Sequence, residues 1–114
     1  MENKELEIVK IIVDALESKK GEEVRVLEIG KVSIIADFFI IASGANARQV
    51  RALMDIAEEA LGKRGIHPKR IEGYEGASWV LADYGDIVLH IFDKESRDFY
   101  DLEHIWLDAP RVEI

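Results

Sequence analysis

The stretch from Trp79 to Trp106 constrains the fold of this chain more than any other part of its sequence. Two apolar runs, at 79–83 and 87–92, are rich in valine, isoleucine and aromatic residues, which favour β-strands. The runs are separated by Tyr84-Gly85, and a glycine at such a position supplies the positive φ that tight hairpin turns require. The pattern therefore predicts a β-hairpin.

A helix is predicted directly after the hairpin. Asp93 is placed to cap it, because an aspartate side chain accepts hydrogen bonds from the free N–H groups of a first helical turn. Phe99, Leu102 and Trp106 then recur at spacing i, i+3 and i+7, which puts them on one side of a helix. The whole block is predicted to fold as strand, tight turn, strand and helix.

The hairpin sequence also predicts which side chains share a face, if Asp83 and Asp86 face each other across the turn. The predicted pairs are then Ala82 with Ile87, Leu81 with Val88, Val80 with Leu89, and Trp79 with His90. Because side chains alternate along a strand, each pair lies on one face. One face is wholly aliphatic and is predicted to be core: Val80, Ala82, Ile87, Leu89 and Ile91. The other face carries Trp79, Leu81, Asp83, Asp86, Val88 and His90.

This mixed second face has two interpretations. Large apolar groups beside charged groups are typical of a protein-binding surface. Alternatively, a helix covers Trp79, Leu81 and Val88, and the two aspartates lie in solvent at the strand ends. A register slip of one residue would exchange the two faces of the hairpin.

Length and composition predict one soluble domain. At 114 residues, the chain is expected to form a single domain over 1–114, with an ordered core at about 4–106 and a C-terminal tail at 107–114 that frays from 111 onward. It contains no cysteine, so disulfides and thiolate metal sites are excluded. The first residues are charged, and no run approaches the ~20 apolar residues of a membrane span. A cytoplasmic location is therefore expected.

The net charge of −8 bears on the class of partner. Proteins that bind nucleic acid through its backbone need a broad basic face, because phosphate neutralisation supplies most of the affinity. An acidic chain is better suited to a basic protein partner, which it attracts at long range. Direct nucleic-acid binding is therefore not expected as the main contact.

The remaining sequence predicts the other elements of an α/β domain. Helical periodicity indicates helices at 4–20 and 47–63, the second capped by Ser43 or Asn46. Strands are predicted at 23–29 and 38–42, the latter buried on both faces, with a short edge strand near 70–74. The segment 32–37 is predicted to be a turn or a short helix. The order predicts a mixed, largely central β-sheet with packing helices.

Catalytic motifs are largely missing from this order of elements. The three histidines are scattered, without metal-ligand spacing, and no G-x-S-x-G elbow or phosphate-binding glycine loop is present. A strand followed by Ser43-Gly44 and a helix is suggestive of nucleotidyltransferases, but their D-x-D metal pair is missing. Asp83 and Asp86 are separated by a turn, where aspartates are favoured for their turn geometry. No cofactor and no metal are expected.

The hairpin–helix block carries a more specific pattern. It contains D-x-G-D-x-x-x-H within WVLADYGDIVLHIF at 79–92, and then R-x-x-Y-x-L-E within ESRDFYDLE at 95–103. Upstream, DFFIIASG at 37–44, Arg48-Gln49-Val50 and Glu72-Gly73 extend the similarity. From about Leu6 to Trp106, the chain closely resembles the Iojap family of ribosomal silencing factors (RsfS).

That resemblance implies a function without chemistry. Members of the family are small α/β proteins with a nucleotidyltransferase-like scaffold and no known catalytic activity. They bind a protein of the large ribosomal subunit, the fourteenth in the standard naming, on the face where the subunits meet. Bound there, they sterically prevent the small subunit from joining and so repress translation in starvation. They are also linked to assembly of the large subunit, and the absence of a targeting segment favours a bacterial member.

The expected binding surface combines the mixed face with the resemblance. Trp79 is predicted to be the anchor of that surface. It is accompanied by Leu81, Asp83, Asp86, Val88 and His90, and family position adds Tyr84 and Arg97. Two other functions stay open, a divergent nucleotidyltransferase and an RNA-binding assembly factor. The sequence is compatible with a monomer or a homodimer.

Overall fold

A mixed five-stranded β-sheet organises the chain in a computed structural model that describes residues 4–113. The strands are β1 (Glu22–Leu27), β2 (Phe38–Gly44), β3 (Arg70–Glu72), β4 (Trp79–Asp83) and β5 (Ile87–Asp93). The helices are α1 (Lys4–Ser18), α2 (Ala47–Gly62), α3 (Lys94–Tyr100) and α4 (Leu102–Ile105), with a 3-10 turn at Ile29–Lys31. The strand order is β1-β2-β5-β4-β3; the β2–β5 pair is parallel and the other three pairs are antiparallel. The predicted α/β class with a mixed sheet is confirmed.

The apolar run of β2 lies inside the sheet, as predicted. All its residues are buried, because β1 and β5 flank it and both of its faces are covered. The predicted edge strand is also confirmed, since β3 pairs with β4 at the border of the sheet. Residues 32–37, which lead into β2, form turns and bends rather than a helix.

Within the described part of the chain, no helix has the length and apolarity to cross a membrane.

Helices α1 and α2 cover one face of the sheet. Asn46 caps α2, because its side-chain oxygen accepts a hydrogen bond of 2.8 Å from the backbone N–H of Gln49. Gln49 in turn accepts from the N–H of Ala45 at 2.6 Å, so two free donors at the helix start are satisfied. The predicted aliphatic face is confirmed as core beneath these helices. Its members, Val80, Ala82, Ile87, Leu89 and Ile91, are all buried in one cluster with the apolar stripes of α1 and α2.

The hairpin register differs from the prediction by two residues. Asp83 pairs with Val88, and Trp79 pairs with Phe92 rather than with His90. The N–H of Tyr84 donates to the carbonyl of Ile87 at 2.9 Å, so the turn is centred on Gly85-Asp86 instead of Tyr84-Gly85. Gly85 adopts the required positive φ of 94°. Because a shift of two residues keeps the alternation in phase, the assignment of side chains to faces survives, but Asp86 lies in the turn.

The predicted C-terminal helix is broken into two. Asp93 caps α3 as predicted, accepting from the N–H of Ser96 at 2.7 Å. Asp101, however, adopts a left-handed conformation with φ 50° and ψ 50°, a region that aspartate tolerates better than most residues. The chain therefore changes direction before α4. Leu102 turns into the protein, whereas Phe99 stays 80% exposed, so the prediction of one continuous apolar stripe was wrong.

The end of the chain runs along the outer edge of β1. The sequence predicts fraying from 111 onward, but the N–H of Val112 donates to the carbonyl of Val26 at 2.9 Å. The N–H of Glu28 donates to the carbonyl of Pro110 at 2.8 Å, and Arg111 forms a β-bridge with Leu27. The edge of β1 offers unpaired backbone groups that attract such pairing. Ile114 lies outside the described residues.

A partly covered sheet face as the candidate binding surface

The second face of the sheet is covered at one end only. A second buried cluster packs there, under the segment that contains α4 and under the loop before β2. Its members are Leu27, Ile29, Ala36, Phe39, Ile41, Phe92, Leu102 and Ala109, with Trp79, Val88 and Trp106 at its border. The predicted cover is therefore confirmed for part of this face, and a protein-binding role for the rest stays a prediction. The cover reaches Val88 and one side of Trp79, and the β3–β4 end lies beyond it.

The β3–β4 end presents a mixed group of side chains, which we call the open face: Arg70, Glu72, Trp79, Leu81 and Asp83. They share one side of the sheet because Glu72 pairs with Leu81 and Arg70 pairs with Asp83, and directly paired residues point the same way. Trp79, Leu81 and Asp83 are half-buried. The open face therefore combines an aromatic ring and a leucine with two carboxylates and one guanidinium.

Trp79 is held in place by aromatic neighbours. Its ring stacks on Phe92 with centroids 5.0 Å apart, and Tyr100 of α3 lies 4.8 Å away on a tilted plane. Such contacts contribute about 0.5–1.5 kcal/mol each beyond the burial of area. Trp79 is thus both a packing residue and a border residue of the open face, and Tyr100 is a contact that sequence spacing did not reveal.

His90 lies beneath Trp79 and not at the surface. It is only 3% exposed, and burial lowers the pKa of its imidazole to about 4. The indole N–H of Trp79 donates to Nδ1 of His90 at 3.1 Å, which assigns the remaining imidazole proton to Nε2. That Nε2 has no hydrogen-bond partner among the described residues. A neutral imidazole therefore orients the indole from below.

Arg97 is buried as well, at 6% exposure. Its guanidinium binds Glu103 through two hydrogen bonds of 3.0 and 2.9 Å. It also donates to Oγ of Ser43 at 2.8 Å and to the carbonyl of Glu22 at 3.3 Å. Bonding to Arg97 lowers the pKa of the Glu103 carboxyl. The side chain thus joins α3 and α4 to the ends of two strands.

The other predicted site residues are divided between locations. Asp83 remains in the open face, where its carboxylate accepts from the N–H of Gly85 at 2.8 Å. Val88 is half-buried at the border of the second cluster, whereas Asp86 is exposed in the turn. Tyr84 packs against the helix-side core, and burial raises the pKa of its hydroxyl to about 12. The structure therefore brings together Trp79, Leu81 and Asp83, with His90 below.

A group of three carboxylates was missed by the sequence reasoning because its members are far apart in the chain. Oxygen atoms of Glu5, Asp37 and Asp86 lie within 4.8 Å of one another, where α1, the start of β2 and the hairpin turn meet. Hydrogen bonding to Asp37, with burial and carboxylate repulsion, raises the pKa of Glu5 to about 7. Such a group suits a hard cation or a shared proton.

Gly73 fixes the loop between β3 and β4 and gives a direct test of the local geometry. Its φ is +80°, and a Cβ there would overlap the carbonyl oxygen of Trp79. We expect Gly73→Ala to lower the free energy of unfolding by about 3 kcal/mol. Gly65→Ala is a matched control, because Gly65 has a φ of +76° but no atom within 4 Å of where its Cβ would stand, and it should cost only about 1 kcal/mol. Equal losses in urea unfolding would show that no backbone clash exists.

The fold and this surface define a small α/β domain with one sheet face partly covered, and comparison with known proteins assigns its family. The family model described as "Ribosomal silencing factor during starvation" (RsfS) matches residues 2–114. The chain therefore belongs to the RsfS family.

Individual relatives agree with this assignment. A ribosomal silencing factor of Halalkalibacterium halodurans is 45% identical over 108 residues, covering 95% of this chain and 92% of that protein. The crystal structure of a protein from Chromobacterium violaceum has 37% sequence identity to this chain and a TM-score of 0.86. The match covers 93% of this chain and 87% of the chain in that structure. A more distant mouse protein, named for mitochondrial assembly of the ribosomal large subunit, is 26% identical over 101 residues, which span 44% of its length.

Proposed function

We propose that this protein silences ribosomes in the cytoplasm by binding the large ribosomal subunit through its open face. The proposed direct partner is a basic ribosomal protein, the fourteenth of the large subunit, on the side where the subunits meet. The domain then occupies the space that the small subunit needs, and translation is repressed without any chemical step.

The observation that carries this proposal is the composition of the open face. A tryptophan and a leucine lie beside the carboxylates of Glu72 and Asp83, in a protein of net charge −8. Aromatic anchors with a charged rim are typical of protein-binding surfaces, and the negative charge steers the protein toward a basic partner. Tyr84, Asp86, Val88, His90 and Arg97 remain in the proposal as residues that flank or support this surface.

The burial of the Ser43 side chain supports a binding role for the protein rather than a catalytic one. The Ser43-Gly44 turn is the part of the chain most like a nucleotidyltransferase. Ser43 is only 4% exposed, and its hydroxyl accepts a hydrogen bond from Arg97. A group engaged in this way inside the protein is poorly placed to meet a substrate, and we propose that the chain is not an enzyme.

We expect Trp79→Ala to weaken binding to isolated large subunits about 30-fold, or about 2 kcal/mol, because it removes the anchor of the surface. Co-sedimentation with purified large and small subunits measures this, and the wild type should bind the large subunit alone. Circular dichroism must show that the variant is folded, since Trp79 also packs against Phe92 and Tyr100.

Leu81→Ala provides a second test if Trp79→Ala unfolds. Leu81 is half-buried in the open face, so its replacement by alanine should weaken binding while the protein stays folded. Ile56→Ala, on the outer side of α2 beside a shallow groove with α1, is the matched control and should bind like the wild type. If all three variants bind equally well, the interface lies elsewhere. If the wild type binds neither subunit, the proposed function is wrong.

Large-subunit assembly is a second candidate function, favoured by the name of the mouse relative. The two functions differ in the particle that is bound. Silencing requires binding to mature large subunits and inhibition of their joining to small subunits in a purified system. An assembly factor would bind immature particles and leave the joining of mature subunits unchanged.

A further inference from the structure

A small cavity opens on the outer side of Trp79. It has a volume of about 260 Å³ and is lined by Glu72, Gly73, Trp79 and Leu81. Its walls come from β3, β4 and the loop between them, which Arg51 of α2 fixes by donating to the carbonyls of Tyr74 and Glu75 at 3.1 and 2.6 Å. The cavity therefore has a defined shape and is large enough for one long side chain.

The chemistry of this cavity is apolar on its walls and negative at one side. The only polar atom of the Trp79 side chain is turned inward, where it donates to His90, so the ring offers the cavity no hydrogen-bond donor. The faces of an indole attract cations through the ring quadrupole. Leu81 adds an aliphatic wall, and Glu72 supplies a carboxylate. A side chain with an apolar stem and a positive end matches these three groups.

One cation of the chain itself already pairs with the carboxylate of this cavity. Nε of Arg70 is 2.9 Å from a carboxylate oxygen of Glu72, and its Nη2 is 3.7 Å from Asp83. The side chains of Arg70 and Glu72 are 65% and 61% exposed, and ion pairs in such exposed positions contribute little stability. Another cation can therefore displace Arg70 from the carboxylate of Glu72.

We propose that this cavity is a seat for one lysine or arginine side chain of the protein partner, and that Arg70 is a built-in competitor for it. The proposal rests on the proposed function, and it adds the chemistry of one contact. The partner's stem lies on Trp79 and Leu81, its charged end replaces Arg70 at Glu72, and Arg70 turns into solvent. A partner without a basic side chain at this point leaves the Glu72–Arg70 ion pair intact and gains no affinity from the cavity.

Variants that each remove one charge separate the two parts of this proposal in binding measurements with purified large subunits. Glu72→Gln should raise the Kd about fivefold, and Arg70→Gln should lower it about threefold. Glu59→Gln and Arg64→Gln change the net charge equally at exposed positions on and after α2, and each should stay within about twofold of the wild type. If Glu72→Gln behaves like Glu59→Gln, the seat does not exist. If Arg70→Gln weakens binding, Arg70 contacts the partner and is not a competitor.

A small probe tests the cavity independently of the ribosome. N-acetyl-arginine methylamide is titrated into the protein, and the Leu81 methyl and Trp79 ring resonances are followed by NMR. Saturable shifts that disappear in Glu72→Gln and grow in Arg70→Gln support the seat, and their absence in all three proteins overturns it. If the wild type fails to bind large subunits while the probe still binds, the proposed function is wrong, but the cavity is still a binding site for a basic side chain.

Discussion

Arg97→Ala is expected to lower the free energy of unfolding by about 3 kcal/mol, since it removes a buried guanidinium and leaves the half-buried carboxylate of Glu103 without its partner. The carboxylate of Glu103 loses two short hydrogen bonds, and Ser43 and the carbonyl of Glu22 lose a donor. Urea unfolding followed by circular dichroism measures the loss. Arg48→Ala, at an exposed position on α2, is the control and should cost less than about 0.5 kcal/mol.

Two further variants show what Arg97 does. Arg97→Lys keeps the charge but lacks the planar fork, so it should recover only part of the stability. Combining Arg97→Met with Glu103→Gln should recover more, because no buried charge is left unpaired. Should Arg97→Ala keep full stability and still lose large-subunit binding, Arg97 would be a contact residue, as the family position implies, and not a support.

Acid is expected to destabilise the protein through His90. Its pKa is about 4 in the folded protein against 6.5 in the unfolded chain, so between these values the unfolded state binds more protons. The contribution of His90 to the free energy of unfolding is therefore fully present above about pH 6.5. It is lost as the pH decreases toward 4, by about 3 kcal/mol in total, and changes little at lower pH. In the folded protein the Trp79–His90 hydrogen bond should be lost only near pH 4 and below, where the imidazole itself becomes protonated, because a protonated Nδ1 cannot accept.

The measurement needs a background without Glu5. The pKa of Glu5 is raised to about 7, so its contribution has the opposite sign and is lost as the pH rises. Unfolding free energies from pH 4 to 7 are therefore compared in Glu5→Gln and in Glu5→Gln with His90→Asn. The asparagine keeps an acceptor near Nδ1 but does not titrate, so it should flatten the slope. His67→Gln, at an exposed position, should leave it unchanged. An equal slope in all three proteins would contradict the assignment to His90.

Local sequence signals predicted much of the fold correctly. The bounds of β4 and the cap at Asp93 follow from apolar runs and from the chemistry of one aspartate, and both are seen. The face assignment of the hairpin was correct although its register was wrong. Periodicity fixes which residues alternate, whereas the register depends on whether one hydrogen bond closes at Tyr84. The break at Asp101 carries only a weak signal. Aspartate favours helix ends and turns, but Asp98 lies inside α3, so the residue type does not show which aspartate ends the helix.

The candidate site was predicted less completely, for reasons of long-range packing. Trp79, Leu81 and Asp83 lie on one strand, and their common face follows from alternation. Glu72 and Arg70 join them only because β3 pairs with β4 in one particular register. Whether His90 and Arg97 are buried depends on residues far away in the sequence. The imidazole of His90 lies against Phe39, and Arg97 binds Ser43 and the carbonyl of Glu22.

The pairing of the last residues with β1 has a consequence for how the protein is made. Residues 110–112, which cover the outer edge of β1, follow the other strands of the sheet in the chain and are synthesised after them. The outer edge of β1 therefore stays open until these residues have been made. Pairing along this edge is completed after the five strands are already present.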